Sequence, residues 1–128
     1  MSLQKLLADL QKDYLASFQL KMTTIDSLWK IAQVDQKFAD LETEYHKLKG
    51  TGRTYGLPEV TQLGEALERL CEIDRDSLQV AVPLSLRLLA LIQETRDKGQ
   101  PLLIEAQQDF RVIRDLVIKA NLKTAKAD

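Results

Sequence analysis

Residues 41–57 read LETEYHKLKGTGRTYGL, and the rest of the chain is arranged around them. Starting at Phe38, apolar or small residues fall at Phe38, Leu41, Tyr45, Leu48, Gly52 and Tyr55, spaced alternately by three and four. That spacing predicts a helix burying one stripe against other helices. His46 is the only histidine in the protein, and it lies off the stripe. At ~100° per residue it sits roughly 130° from the stripe's centre, so it is expected to face water. Lys49 follows one turn later, at the boundary, and Arg53 one turn after that. Gly50 lies beside His46 on the outward side. A glycine inside a helix costs about 1 kcal/mol relative to alanine, and this helix has both Gly50 and Gly52. Something other than helix stability must favour them. A surface where a second protein approaches the backbone closely would do so.

Working outward, the composition points the same way. The 128 residues suit one domain, spanning 1–128, with a single core. Hydrophobic residues make up 45% and charged residues 29%, in the ordinary range for a globular protein. Leu, Ala, Glu, Lys and Gln are abundant, while only five Gly and three Pro occur, which favours an all-α fold. The net charge of −1 demands neither nucleic acid nor an anionic membrane as partner. No apolar run reaches the ~18 residues of a membrane span, and the first residues lack the pattern of a secretion signal. The single cysteine, Cys71, falls on an apolar helix face and is expected as a buried thiol in a reducing compartment, so the expected location is cytoplasmic.

Residues 2–33 contain neither Gly nor Pro, and apolar positions recur from Leu3 to Ala32. They read as one long helix or two nearly collinear ones, weakest at Met22, Thr23, Thr24 and Ile25. Residues 15–33 have the length of a bundle helix, with the earlier residues overhanging. Asp35 is a good N-cap for the helix over 36–55, which Gly56 ends. Pro58 and Glu59 open a third helix, over 58–72, on which Gly64 suits close packing. A fourth spans about 77–97 and starts at Pro83 or bends there. Lys98, Gly99, Gln100 and Pro101 form a break. A fifth helix, over 102–122, puts Leu103, Ala106, Phe110, Ile113, Val117 and Ala120 on one face, followed by a frayed polar end. The expected architecture is an antiparallel four-helix bundle over about 15–97, with an extended N-terminal helix and an additional C-terminal helix seated on the fourth.

The order His46, then Leu48-Lys49-Gly50, then the small Thr51, then Gly56 ahead of the next helix resembles the signature of the histidine-containing phosphotransfer (Hpt) domain family. The likeness extends more loosely from about Asp13 to Lys98 as helix pattern. Arg53 departs from it, standing where many members carry a small residue. The resemblance implies a phosphoryl carrier of a two-component phosphorelay. His46 would accept the group through Nε2 from an aspartyl phosphate and pass it on, and Lys49 would stabilise the phosphoryl oxygens. The partners implied are response-regulator receiver domains and a hybrid sensor histidine kinase, and the receiver would supply the Asp and the Mg²⁺. Gly50 would leave room for the partner, while Lys47 and Arg53 add positive potential. Glu42, one turn before His46, is placed to orient the ring.

The sequence holds no Gly-rich phosphate loop and no Walker-type run, so the chain reads as a carrier and not as an enzyme with its own ATP site or cofactor. One histidine and one cysteine also argue against a His/Cys metal site. Trp29 lies on the first helix's stripe and reads as core, and the basic end at Lys119, Lys123 and Lys126 as solvated surface. A reading from a different class remains open. The bundle could be a non-catalytic helical interaction or dimerisation module. The apolar surface of the first and last helices suits that role, and equally suits a homodimeric carrier. Substitution of His46 separates the two readings.

Overall fold

The computed structural model describes residues 2–127, with side chains through residue 126. Every regular element among them is helical. The order is α1 Leu3–Ala16, α2 Phe18–Asp35, α3 Ala39–Thr54, α4 Pro58–Ile73, a 3₁₀ turn Arg75–Ser77, α5 Leu78–Asp97, a second 3₁₀ turn Ile104–Ala106 and α6 Gln108–Ala127. Helices α2 to α5 form the antiparallel bundle, with α3 between α2 and α4, and α5 closing the ring against α2 and α4. α6 lies over α4 and α5. The core is the shared apolar stripe, including Phe18, Ile25, Leu41, Tyr45, Leu63, Leu67, Leu88 and Ile92, all essentially without solvent contact.

The expected bundle and both added helices are present, but several helix ends differ. The N-terminal run breaks at Ser17, not at Met22–Ile25. Ser17 donates its backbone N–H to Tyr14 O and its hydroxyl to the same carbonyl, which closes α1 locally, whereas Thr23 satisfies its hydroxyl on Gln19 O within α2. Asp35 does not cap α3. It ends α2, and Gln36 follows with a left-handed φ of 56°, so α3 begins only at Ala39. Pro83 sits inside α5, which runs on from Leu78.

The largest departure is the start of the last helix. The backbone N–H of Leu102 goes to the carboxylate of Glu59 at 3.0 Å, and Ile104 is buried. The chain is thereby pinned to α4 while it turns back, and α6 can start only at Gln108. Leu103, expected on the inner face, is 74% exposed, and Ala106 is exposed too. Phe110, Ile113 and Ala120 do face inward. Residues 123–127 continue the helix where a frayed end was expected.

Glu59 itself is buried, and Arg96 holds it by two bonds, Nε at 2.9 Å and a terminal nitrogen at 2.8 Å. Burial alone would raise its pKa. The Arg96 guanidinium, with the backbone N–H groups of Glu59 and Leu102, outweighs burial and holds it below the usual carboxylate value.

Candidate functional site

The α3–α4 pair sets the site, and two glycines set that pair. A Cβ at Gly52 would lie 2.6 Å from the backbone nitrogen of Thr61. One at Gly64 would lie 2.6 Å from the nitrogen of Lys49 and 2.7 Å from the oxygen of Tyr45. Only glycine allows the helices to run this close. Gly52 is therefore explained within the chain and not by an incoming partner. Gly50 is different, because a Cβ there meets nothing within 4 Å. Among the described residues no close contact requires glycine there. α3 ends as expected at Gly56, with φ 72°. The Leu57 N–H bonds Gly52 O at 2.7 Å and the Gly56 N–H bonds Arg53 O at 3.3 Å, the paired bonds of a Schellman end.

Rotation of α3 about its axis is fixed from beneath. The buried Tyr45 hydroxyl meets Ser85 Oγ of α5 at 2.7 Å, and Ser85 donates to Val82 O. Burial drives the Tyr45 pKa upward despite that bond, so the phenol stays neutral. With Tyr45 locked inward, His46 must point outward, and its side chain is 67% exposed.

The close helix contact brings Glu68 of α4, 13% exposed, under the ring. One carboxylate oxygen of Glu68 takes Nδ1 of His46, and the other takes the Lys49 ammonium at 3.3 Å. A carboxylate only accepts, so Nδ1 carries the hydrogen. In the neutral ring Nε2 then carries the lone pair, on a side chain that is mostly exposed. The chemistry open to this arrangement is nucleophilic attack by an oriented, exposed imidazole with a cation beside it.

The family model of the Hpt domain matches residues 2–98, which take in α1 to α5. The chain belongs to the Hpt domain family. No curated protein and no solved structure matched it. Histidine phosphotransfer in phosphorelays is the function of Hpt domains, receiver domains and kinases are their partners, and they carry phosphoryl groups without being catalysts in their own right. No described helix is long and apolar enough to cross a membrane.

Within this Hpt domain the residues singled out from sequence fall into two groups. His46 and Lys49 come together on Glu68. Lys47 points outward and pairs with Glu44 at 3.2 Å, and Arg53 and Gly50 are exposed on the same helix. Glu42 makes no bond to the ring; the orienting carboxylate is Glu68, twenty-two residues after the histidine. Sequence reasoning missed it because α4 offers Glu65, Glu68 and Glu72 with nothing local to choose between them. The usable signal was the pairing of glycines. Setting Gly64 against Tyr45 and Lys49 in antiparallel helices carries Glu68 to His46.

A groove of about 460 Å³ opens beside Lys49 and Glu68 between α4 and α6, walled by Phe110, Arg114 and Val117. His46 is not in its lining.

Proposed function

We propose that this Hpt domain is a phosphorelay carrier that takes a phosphoryl group from an aspartyl-phosphate receiver onto Nε2 of His46 and passes it to another receiver. In the step, the Nε2 lone pair forms the N–P bond as the bond from phosphorus to the aspartyl oxygen breaks. The carboxylate leaves with that electron pair. Positive charge develops on the ring and is met by Glu68 across the Nδ1 hydrogen. Lys49, held beside the ring by the other oxygen of Glu68, meets the phosphoryl oxygens. Gly50 leaves the outward face flat, and Lys47 and Arg53 add positive potential for an anionic partner surface. Mg²⁺ would arrive with the receiver. The chain would act in the cytoplasm, where receivers and sensor kinases present their phosphoryl groups.

The observation that carries this reading is the exposed His46 ring with Nδ1 engaged by a largely buried carboxylate, which leaves the lone pair on Nε2. The test is transfer from receiver domains phosphorylated on Asp, with a His46→Gln control. Acid-labile, base-stable label on the wild type and none on the folded variant is the expected result. Absence of label from every receiver of the same genome, with the fold intact by circular dichroism, would sink the reading and favour an interaction module.

A further inference from the structure

The first turns of α1 have a face that the described residues do not cover. Residues 2–10 are all exposed. Toward the rest of the molecule, the first hydrogen bond along α1 comes from Gln11, whose side-chain amide donates to Tyr55 O at 2.8 Å. Tyr14 then stacks on Tyr55, with ring centroids 4.6 Å apart, and its hydroxyl meets Thr51 Oγ1 at 2.6 Å. These contacts pair residues 11 and 14 with 55 and 51, so α1 runs antiparallel to α3 and leaves the bundle past its C-terminal end. Four leucines line one side of the projecting part: Leu3 at 71%, Leu6 at 45%, Leu7 at 53% and Leu10 at 42% exposure. The helix starts deliberately, with Ser2 Oγ accepting the Lys5 N–H at 3.1 Å. Yet two unpacked turns are marginal in water without tertiary support. Clustered exposed leucines of this kind mark a binding face.

We infer that this face pairs with the same face of a second copy of the chain, as an antiparallel helix pair about a twofold axis between Leu6 and Leu7. The spacing carries the choice of occupant. The leucines at 3, 6, 7 and 10 read the same in both directions. An antiparallel copy therefore sets Leu3 against Leu10 and Leu6 against Leu7, so each leucine meets a leucine. An isologous interface requires that self-complementarity, and a different partner does not. The charges do not oppose it, since Lys5 and Lys12 balance Asp9 and Asp13 on the same helix. The face exposes about two leucines' worth of apolar surface per copy. That is well under the roughly 800 Å² per partner of a standard interface, so the dimer forms and dissociates with concentration. It also leaves His46 clear. At ~1.5 Å per residue, Leu10 lies roughly 13 Å along the bundle axis from the level of His46. The inference does not depend on any step of the phosphoryl chemistry.

Sedimentation equilibrium on the full chain tests it, from about 10 µM to about 1 mM. The weight-average mass should rise from 14.6 kDa towards twice that value. Leu6→Asp and Leu7→Asp should each hold it at the monomer with the helix content kept. Leu20→Asp, at another exposed leucine of 71% exposure, should leave the association unchanged. A monomer throughout the range overturns the proposal, as does equal loss of association in the Leu20 variant. The register has its own test in oxidation of a mixture of Leu3→Cys and Leu10→Cys chains. The mixed disulfide should form faster than either symmetric one, and the reverse order overturns the antiparallel pairing. Cys71 does not interfere, being buried with its pKa pushed up to about 12 by that burial.

Discussion

The carboxylate of Glu68 accepts the Nδ1 hydrogen of His46 from the neighbouring helix, twenty-two residues further along the chain. Its second oxygen holds Lys49 at 3.3 Å, so one side chain positions both the proposed nucleophile and its cation. A single substitution should therefore disturb both. Glu68→Ala should lower the rate of transfer to His46 by about 10-fold or more, the scale on which an outer partner tunes an imidazole at a metal. Glu68→Gln retains an acceptor for Nδ1 and should lose less. Nitrogen NMR of the ring gives an independent readout: Nδ1–H should dominate in the wild type, and the Ala variant should move towards the tautomer mixture of free imidazole.

Gly50 and Gly52 lie two residues apart and should respond in opposite directions. Gly50→Ala places a methyl in open space and gains helix propensity, so its unfolding free energy should rise by up to about 1 kcal/mol. Its transfer from a receiver should slow if the partner occupies that space. Gly52→Ala forces Cβ to within 2.6 Å of the Thr61 backbone and should destabilise by about 1–3 kcal/mol. Denaturant titration of both variants measures the contrast.

Glu59 supplies a pH dependence. Its folded pKa lies below its unfolded one, so the unfolded chain binds more protons between the two values and stability rises with pH there. The contribution is complete above the usual carboxylate value of 4.5 and is lost as pH falls through the depressed folded value. Glu59→Gln should flatten this part of the acid limb in a plot of stability against pH. Arg96→Met should destabilise by ~3 kcal/mol at neutral pH, because it leaves a buried carboxylate without its partner.

Cys71 is 1% exposed, and burial, with the nearby Glu42 adding to it, raises its pKa to about 12. In the folded protein it should resist thiol reagents at pH 8, and its labelling rate should follow the frequency of opening. A rate near that of a free thiol in native buffer would contradict the burial.

The helices and their inward stripes were legible because burial leaves a periodic mark. Leu41, Tyr45, Leu48 and Gly52 carry it, and all four are buried. So was the outward face of His46, as the complement of that stripe. Long-range choices were not legible. Periodicity alone does not reveal that Glu59 takes the Leu102 N–H and delays the last helix, so it puts Leu103 inward on a spacing that the backbone does not use. Likewise Glu42 was the local candidate for orienting the ring, while the actual partner depends on how two helices slide past each other. Gly52 shows the same limit: its helix penalty points to a close approach, but only the helix offset shows that Thr61, and not an external partner, makes it.

The carboxylate of Glu59 also bears on where the domain ends. The family match stops at residue 98, yet this buried side chain on α4 is bonded at once to Arg96 on α5 and to Leu102 beyond that limit. The junction with the last helix is thus clamped by a buried charge and cannot act as a hinge. A chain shortened to residue 98 would leave Glu59 short of a donor and bare the flank of α4 and α5 that Phe110 and Ile113 cover. The intact chain should accordingly melt in one calorimetric transition, with α6 lost together with the bundle and not before it.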